Sequence, residues 1–312
     1  MLLPKRRMYC GSGSLPALRL TSTRRLKKPS TLAPDMRRLI LIAVMLLSPP
    51  LASAQSQPPG AQTPRPIQDN SFLIEEAYNQ ETGVVQHINS FLRARDGSWV
   101  YTFTQEWPLF GQRNQLSYTI PVVKVRELPG AATGIGDIAI NYRYQLVGSG
   151  ESRVAVSPRF SILLPTGDVR QQLGGGGTGL QFNIPVSVVI NKSLVTHLNA
   201  GGTFTPVATN ASGEKAGTAS YNLGQSFIWL TRPGFNVMLE TAWNSIELVA
   251  GPNATKRSQT LFISPGVRGA YNFKSGLQIV PGVGFPFGVG PTSGSRSVLV
   301  YLSFEHPVTK RD

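Results

Sequence analysis

Seven ionisable residues fall inside stretches that otherwise alternate between apolar and polar side chains: Glu106, Arg143, Arg153, Arg159, His197, Glu240 and Arg268. Each belongs to the polar set, so a strand with its apolar set turned outward would send them all to one interior. Charges brought together away from water need partners, and the plainest role for these is to pair across the interior and stiffen it. Because Arg outnumbers Glu among them, the same set could form a constriction preferring anionic or aromatic-acid solutes. His197 has Ser187 and Asn199 near in sequence. A hydrolase would need a nucleophile, a base and an orienting group together, and this neighbourhood permits one without specifying it. The histidines, His87, His197 and His306, have no metal-ligand spacing. Gly174 to Gly177 lacks the Lys-Ser/Thr ending of a phosphate loop and reads as a flexible loop. No catalytic residue, cofactor or metal is therefore expected.

Strands must position such a lumen. Ile138, Ile140, Tyr142, Tyr144 and Leu146 interleave with Ala139, Asn141, Arg143 and Gln145. Tyr221, Leu223, Phe227 and Trp229 oppose Ser220, Asn222, Gly224 and Ser226. The period is two, that of a strand with different faces. Candidate strands are 84–92, 98–108, 114–125, 136–147, 152–165, 178–190, 193–206, 217–231, 234–244, 258–271, 275–286 and 295–305. The sequence thus predicts an all-β fold, an antiparallel transmembrane β-barrel of about 12 strands, an even number as in closed bacterial barrels. Links after even-numbered candidates are short, and most of those after odd-numbered ones are longer, as for periplasmic turns and outer loops. Trp99, Trp107, Trp229, Trp243, Tyr271 and Tyr301 fall near strand ends, where amphipathic rings suit a headgroup layer. Pro121, Pro158, Pro185, Pro265 and Pro281 fit less well, because each removes a ladder donor and requires a bulge or break.

Composition agrees with a lipid-facing wall. Charged residues make up only 15% of the 312-residue chain, against about a quarter in soluble domains. Residues 1 to 54 hold ten Lys or Arg and one acid, Asp35, a balance of +9 out of the total +14. The remainder carries only +5, with no basic stripe interleaved with aromatics, which argues against nucleic acid as a partner. The single cysteine, Cys10, also lies in the leading part.

Met36-Arg37-Arg38, the apolar run Leu39 to Leu47 and Ala52-Ser53-Ala54 make a cleavable export signal. The expected organisation is an extra N-terminal extension over 1–35 and a signal peptide over 36–54. A flexible or helical segment follows over 55–82, with Phe72 to Gln80 as a short amphipathic helix. The barrel spans 83–305, with a C-terminal tail over 306–312.

Ala132-Thr133-Gly134-Ile135-Gly136-Asp137, leading into Ile138 to Tyr144, resembles the Gly-x-Gly-Asp-then-strand feature of a bacterial outer-membrane family. Its members carry the labels of transporters or MetA-pathway phenol-degradation proteins. Leu164-Pro165-Thr166-Gly167 is similar to that family's strand-to-loop turn. The resemblance implies an outer-membrane barrel for uptake of hydrophobic or aromatic compounds, and no catalytic residues. One departure is that Phe304, the aromatic of the last strand, is followed by eight residues rather than ending the chain. Three readings follow: an outer-membrane channel or transporter for small solutes, a structural barrel without an open pore, and a lipid-modifying hydrolase built on His197. In the second, the stretch from Gln55 to Gln80 is the candidate plug. The expected partners are outer-membrane lipid, small-molecule solutes and the barrel assembly machinery.

Overall fold

The computed structural model describes residues 67, 71–127 and 130–308. The predicted extension and signal peptide lie outside the described residues.

Alternating β-branched and aromatic residues from Val84 onward form sixteen strand segments. These are β1 (Val84–Ala94), β2 (Trp99–Pro108), β3 (Asn114–Glu127), β4 (Gly130–Ile135), β5 (Ile138–Tyr144), β6 (Val154–Val156), β7 (Arg159–Leu164) and β8 (Gly179–Asn191). They continue as β9 (Leu194–Thr209), β10 (Lys215–Arg232), β11 (Phe235–Gly251), β12 (Ala254–Gly269), β13 (Tyr271–Asn272), β14 (Gln278–Gly284), β15 (Phe287–Gly288) and β16 (Ser297–Pro307). Four pairs of segments, β4 with β5, β6 with β7, β12 with β13 and β14 with β15, each share one wall position, which leaves twelve. Every pairing is antiparallel, and β1 closes the ring by pairing β16 from Val84↔Pro307 to Ala94↔Ser297. Both ends of the wall therefore stand at one rim, the terminal rim.

A proline explains the break between β6 and β7. Pro158 separates β6 from β7, and Pro185 stands beside that break, its carbonyl accepting the Ser157 N–H at 3.1 Å. A proline has no N–H for the ladder, so pairing resumes only past it.

Burial is inverted relative to a soluble sheet. Ser161, Ser187, Ser226, Glu240, Ser264 and Ser303 are fully buried, whereas Phe160, Phe182, Phe204, Leu223 and Val300 are 44–54% exposed. A closed sheet with its apolar set outward cannot rest in water without a large apolar surface, and a bilayer satisfies it. The wall belongs in an outer membrane.

Three expectations change. Residues 71–80 form no helix but an extended, bent segment. Several links expected as long outer loops are strand instead. β9 and β10 run to a turn at Asn210–Glu214, and β11 and β12 to one at Gly251–Ala254. At 16 to 18 residues, β9 to β12 exceed the 9–11 or so needed to cross a bilayer, so one side of the wall stands taller. The last strand also runs through His306 and Pro307, two residues past the expected barrel end.

Candidate functional site in the barrel lumen

Residues 71–80 lie inside the ring, held by side chains rather than by a neighbouring strand. Leu73 N–H donates to Glu240 Oε1 (2.7 Å), Glu75 N–H to Asn199 Oδ1 (2.8 Å), Ala77 N–H to Ser187 Oγ (2.8 Å) and Asn79 N–H to Gln145 Oε1 (2.9 Å). Alternate amides are thus caught in turn, as a ladder would catch them. Two of the captors also grip carbonyls. Asn199 Nδ2 donates to Glu75 O and Gln145 Nε2 to Ala77 O, both at 2.8 Å. A side-chain amide carries both a donor and an acceptor, so it can stand in for a strand's backbone. Gln80 N–H reaches Gln115 Oε1 at 2.8 Å near the terminal rim.

Arg143 does the work of several partners. Its Nε donates to Asn79 Oδ1 (3.0 Å), Nη1 to Glu76 O (3.1 Å) and Nη2 to Tyr78 O (2.8 Å). Strand register puts Arg143 directly opposite Arg159, a like-charge pair that repels unless neutralised. Glu106 lies 3.7 Å from Arg143 and receives Gln115 Nε2 at 2.7 Å. On the other side Glu75 takes Arg159 in a fork, Nε at 2.9 Å and Nη2 at 2.6 Å. Arg159 also bonds Ser161 Oγ, Asn141 and Gln181. The segment therefore supplies an anion that the wall itself lacks at this point.

The expected lumen residues separate clearly. Glu106, Arg143, Arg159, His197, Glu240 and Arg268 all point inward. His197, Glu240 and Arg268 are at most 2% exposed. Arg153 does not join them. It precedes β6 at the terminal rim, where the strand has ended, and is exposed, its carbonyl accepting the Val189 N–H. Tyr301, expected near a headgroup layer, is likewise turned inward and buried.

His197 does have a hydroxyl partner, Ser187 Oγ at 2.7 Å from Nδ1. The same hydroxyl accepts the Ala77 N–H, it is wholly buried, and Tyr78 packs edge-on against the imidazole at 5.8 Å. The pair holds the segment and leaves no face of Ser187 open to a substrate. Among the described residues, no cluster of three metal-ligating side chains occurs.

Neutral residues were the less legible part of the site. Gln115, Gln145, Ser187 and Asn199 carry most of the backbone contacts, and the signal for them was only their membership of the polar set. Glycines matter equally. A Cβ on inward-facing Gly224 would collide with Ile74.

The two short motifs meet at the opposite, distal end. Thr166 Oγ1 donates to Gly136 O (2.7 Å), and Asp137 accepts Gly167 N–H (3.0 Å) and Gly175 N–H (2.7 Å). Gly134 and Gly136 leave room for Leu173 of the same loop. The aspartate thus pins the loop between β7 and β8.

No family model and no curated relative matches the sequence. Solved structures do. The COG4313 outer membrane channel from Pseudomonas putida F1 aligns over 74% of this chain and 97% of its own, with TM-score 0.60 and 12% identity. This chain has the fold of a bacterial outer-membrane β-barrel channel. The CymD monoaromatic hydrocarbon channel aligns over 75% of this chain and 90% of its own (TM-score 0.42, 10% identity). The translocator domain of autotransporter NalP from Neisseria meningitidis aligns over 73% and 89% (TM-score 0.43, 10% identity).

Proposed function

We propose that this outer-membrane barrel is a channel for small solutes, hydrophobic and aromatic molecules among them, and that residues 71–80 close its lumen in the state described. The observation that carries the reading is the way the segment is held. Its amides and carbonyls are bound by side chains, which water or a solute can replace one at a time. A permanent wall element would have been built into the ladder. The fold likeness to a channel and the resemblance of the Gly134–Asp137 and Leu164–Gly167 motifs support the same reading. Withdrawal of the segment would leave Arg143 and Arg159 with Glu106 alone, so the opened lumen should favour anions.

Planar-bilayer conductance tests this. The mature chain should be nearly silent, and a chain lacking residues 55–80 should conduct with an anion-selective reversal potential. A sealed bilayer containing the correctly inserted truncated barrel would rule out the pore. It would favour instead a structural barrel, the reading that the solvent-free burial of Glu240, Ser226 and Ser264 also supports.

A further inference from the structure

The segment's Phe72 occupies a recess that the wall makes by omitting side chains. A Cβ on Gly282 would stand 2.5 Å from ring atoms Cε1 and Cζ, one on Gly266 2.7 Å from Cε2, and one on Gly284 3.0 Å from Cδ2. Gly282 thus meets one side of the ring and Gly266 and Gly284 together meet the other, on adjacent strands β12 and β14 whose register pairs Gly266 with Gly284. The ring lies over the triangle they form. Tyr301 closes the recess with its ring centre 5.4 Å away at a 40° tilt, a separation within the range of favourable aromatic pairs. Any residue larger than glycine at these positions would exclude a flat ring.

A second feature points to a ligand rather than to packing alone. Ser264 Oγ borders the recess, 3.2 Å from where a Gly284 Cβ would stand. Ser264 is fully buried, and its hydroxyl has no hydrogen-bond partner among the described residues. A buried hydroxyl left unbonded is costly, and the benzyl side chain of Phe72 has nothing to offer it. A ring bearing one hydroxyl would.

We infer that the Phe72 seat is a binding site for a small neutral aromatic molecule carrying a hydrogen-bonding substituent, with Phe72 its built-in competitor. Gly266, Gly282 and Gly284 receive the ring, the tilted ring of Tyr301 packs beside it, and Ser264 receives the polar substituent. Solute and segment contend for one place, so occupation by the solute loosens residues 71–80. This rests on the channel reading for its purpose, but not for its chemistry.

Benzyl alcohol is the probe, with toluene lacking the hydroxyl and cyclohexylmethanol lacking the flat ring as comparators. In the full mature chain in detergent, saturating benzyl alcohol should speed hydrogen exchange of the Leu73 and Glu75 amides at least tenfold, and cyclohexylmethanol should not. Phe72→Ala removes the competitor and should tighten benzyl alcohol binding at least tenfold. Ser264→Ala in the Phe72→Ala background should erase the preference over toluene. Unchanged exchange in the wild type, or binding by Phe72→Ala no tighter than by the wild type, overturns the site. Binding is read without transport, so a silent truncated barrel whose seat still binds would refute the channel and leave the site standing.

Discussion

At the scale of single residues, the opposition of Arg143 and Arg159 is the most informative arrangement. Two guanidiniums face each other across a strand pair, one neutralised by the wall through Glu106, the other by Glu75 of the enclosed segment. Removing one member of a buried charged network costs about 3–5 kcal/mol, because its partners are left unpaired. Arg143→Met should therefore free the segment, seen as faster exchange of the amides of residues 75–80 and conductance approaching that of the truncated chain. Arg143→Lys should give an intermediate result, since an ammonium keeps the charge but cannot reach three acceptors in one plane. The charges of this site were legible in the sequence because a charge within an alternating apolar stretch is conspicuous. Gln145 and Asn199 were not, for an amide on a polar face looks the same whether it meets water or a polypeptide backbone. Gly224, Gly266 and Gly282 were invisible as sockets, since what they accommodate lies about 150 or more positions away along the chain.

For the strands, the period of two carried nearly everything. β5, β7 and β8 read correctly because each sends one face to lipid and the other to polar groups, and a slip of one residue would reverse both. Phe182→Arg on the outward face of β8 should destabilise the barrel by about 2–4 kcal/mol if it lies near the bilayer midplane. Denaturant midpoints in lipid vesicles would measure it, and Ser161→Ala on the inward face of β7 should cost far less. The segment Phe72 to Gln80 misread as helix for a physical reason. A helix satisfies its own amides, and a short polar-apolar run in isolation has no other source of acceptors. Here the acceptors come from Gln145 just past β5, Ser187 on β8, Asn199 on β9 and Glu240 on β11. Nothing local to residues 72–80 announces them. The long hairpins β9–β10 and β11–β12 were cut short for the opposite reason, their outer ends being polar enough to read as loop.

At the scale of the whole molecule, the described strands from Val84 to Pro307 form a closed ring of hydrogen bonds around residues 71–80. Such a barrel should resist dodecyl sulfate at room temperature and unfold on boiling. The membrane fraction should then migrate faster unheated than boiled, whereas a soluble sandwich would run the same in both. Replacing Gly282 by Leu should lower the temperature at which that shift occurs, because the seat of Phe72 can no longer close. The total strand number was readable from the sequence to within its broken positions, since each break falls at or beside a proline or glycine and pairing resumes on the same neighbours.

The enclosure of residues 71–80 has a consequence for the order of assembly. Ser71 bonds Ser226, and Leu73 bonds Glu240, across separations of 155 and 167 residues. Yet the segment leaves directly into β1, the strand that must zip to β16 last. A hoop that has already closed admits a string only end-on. The segment must either be wrapped while the wall is still an open ribbon, or be threaded afterwards through a mouth lined with its own captors. Wrapping lets the earliest-made residues serve as a former around which later hairpins gather. A full mature chain should then refold into vesicles in one phase that buries Tyr78 and closes the seam together. The truncated barrel offered the detached peptide Ser71–Gln80 should instead close first and take up the peptide in a slower second phase. A single phase limited by peptide concentration would mean that the wall waits for its former.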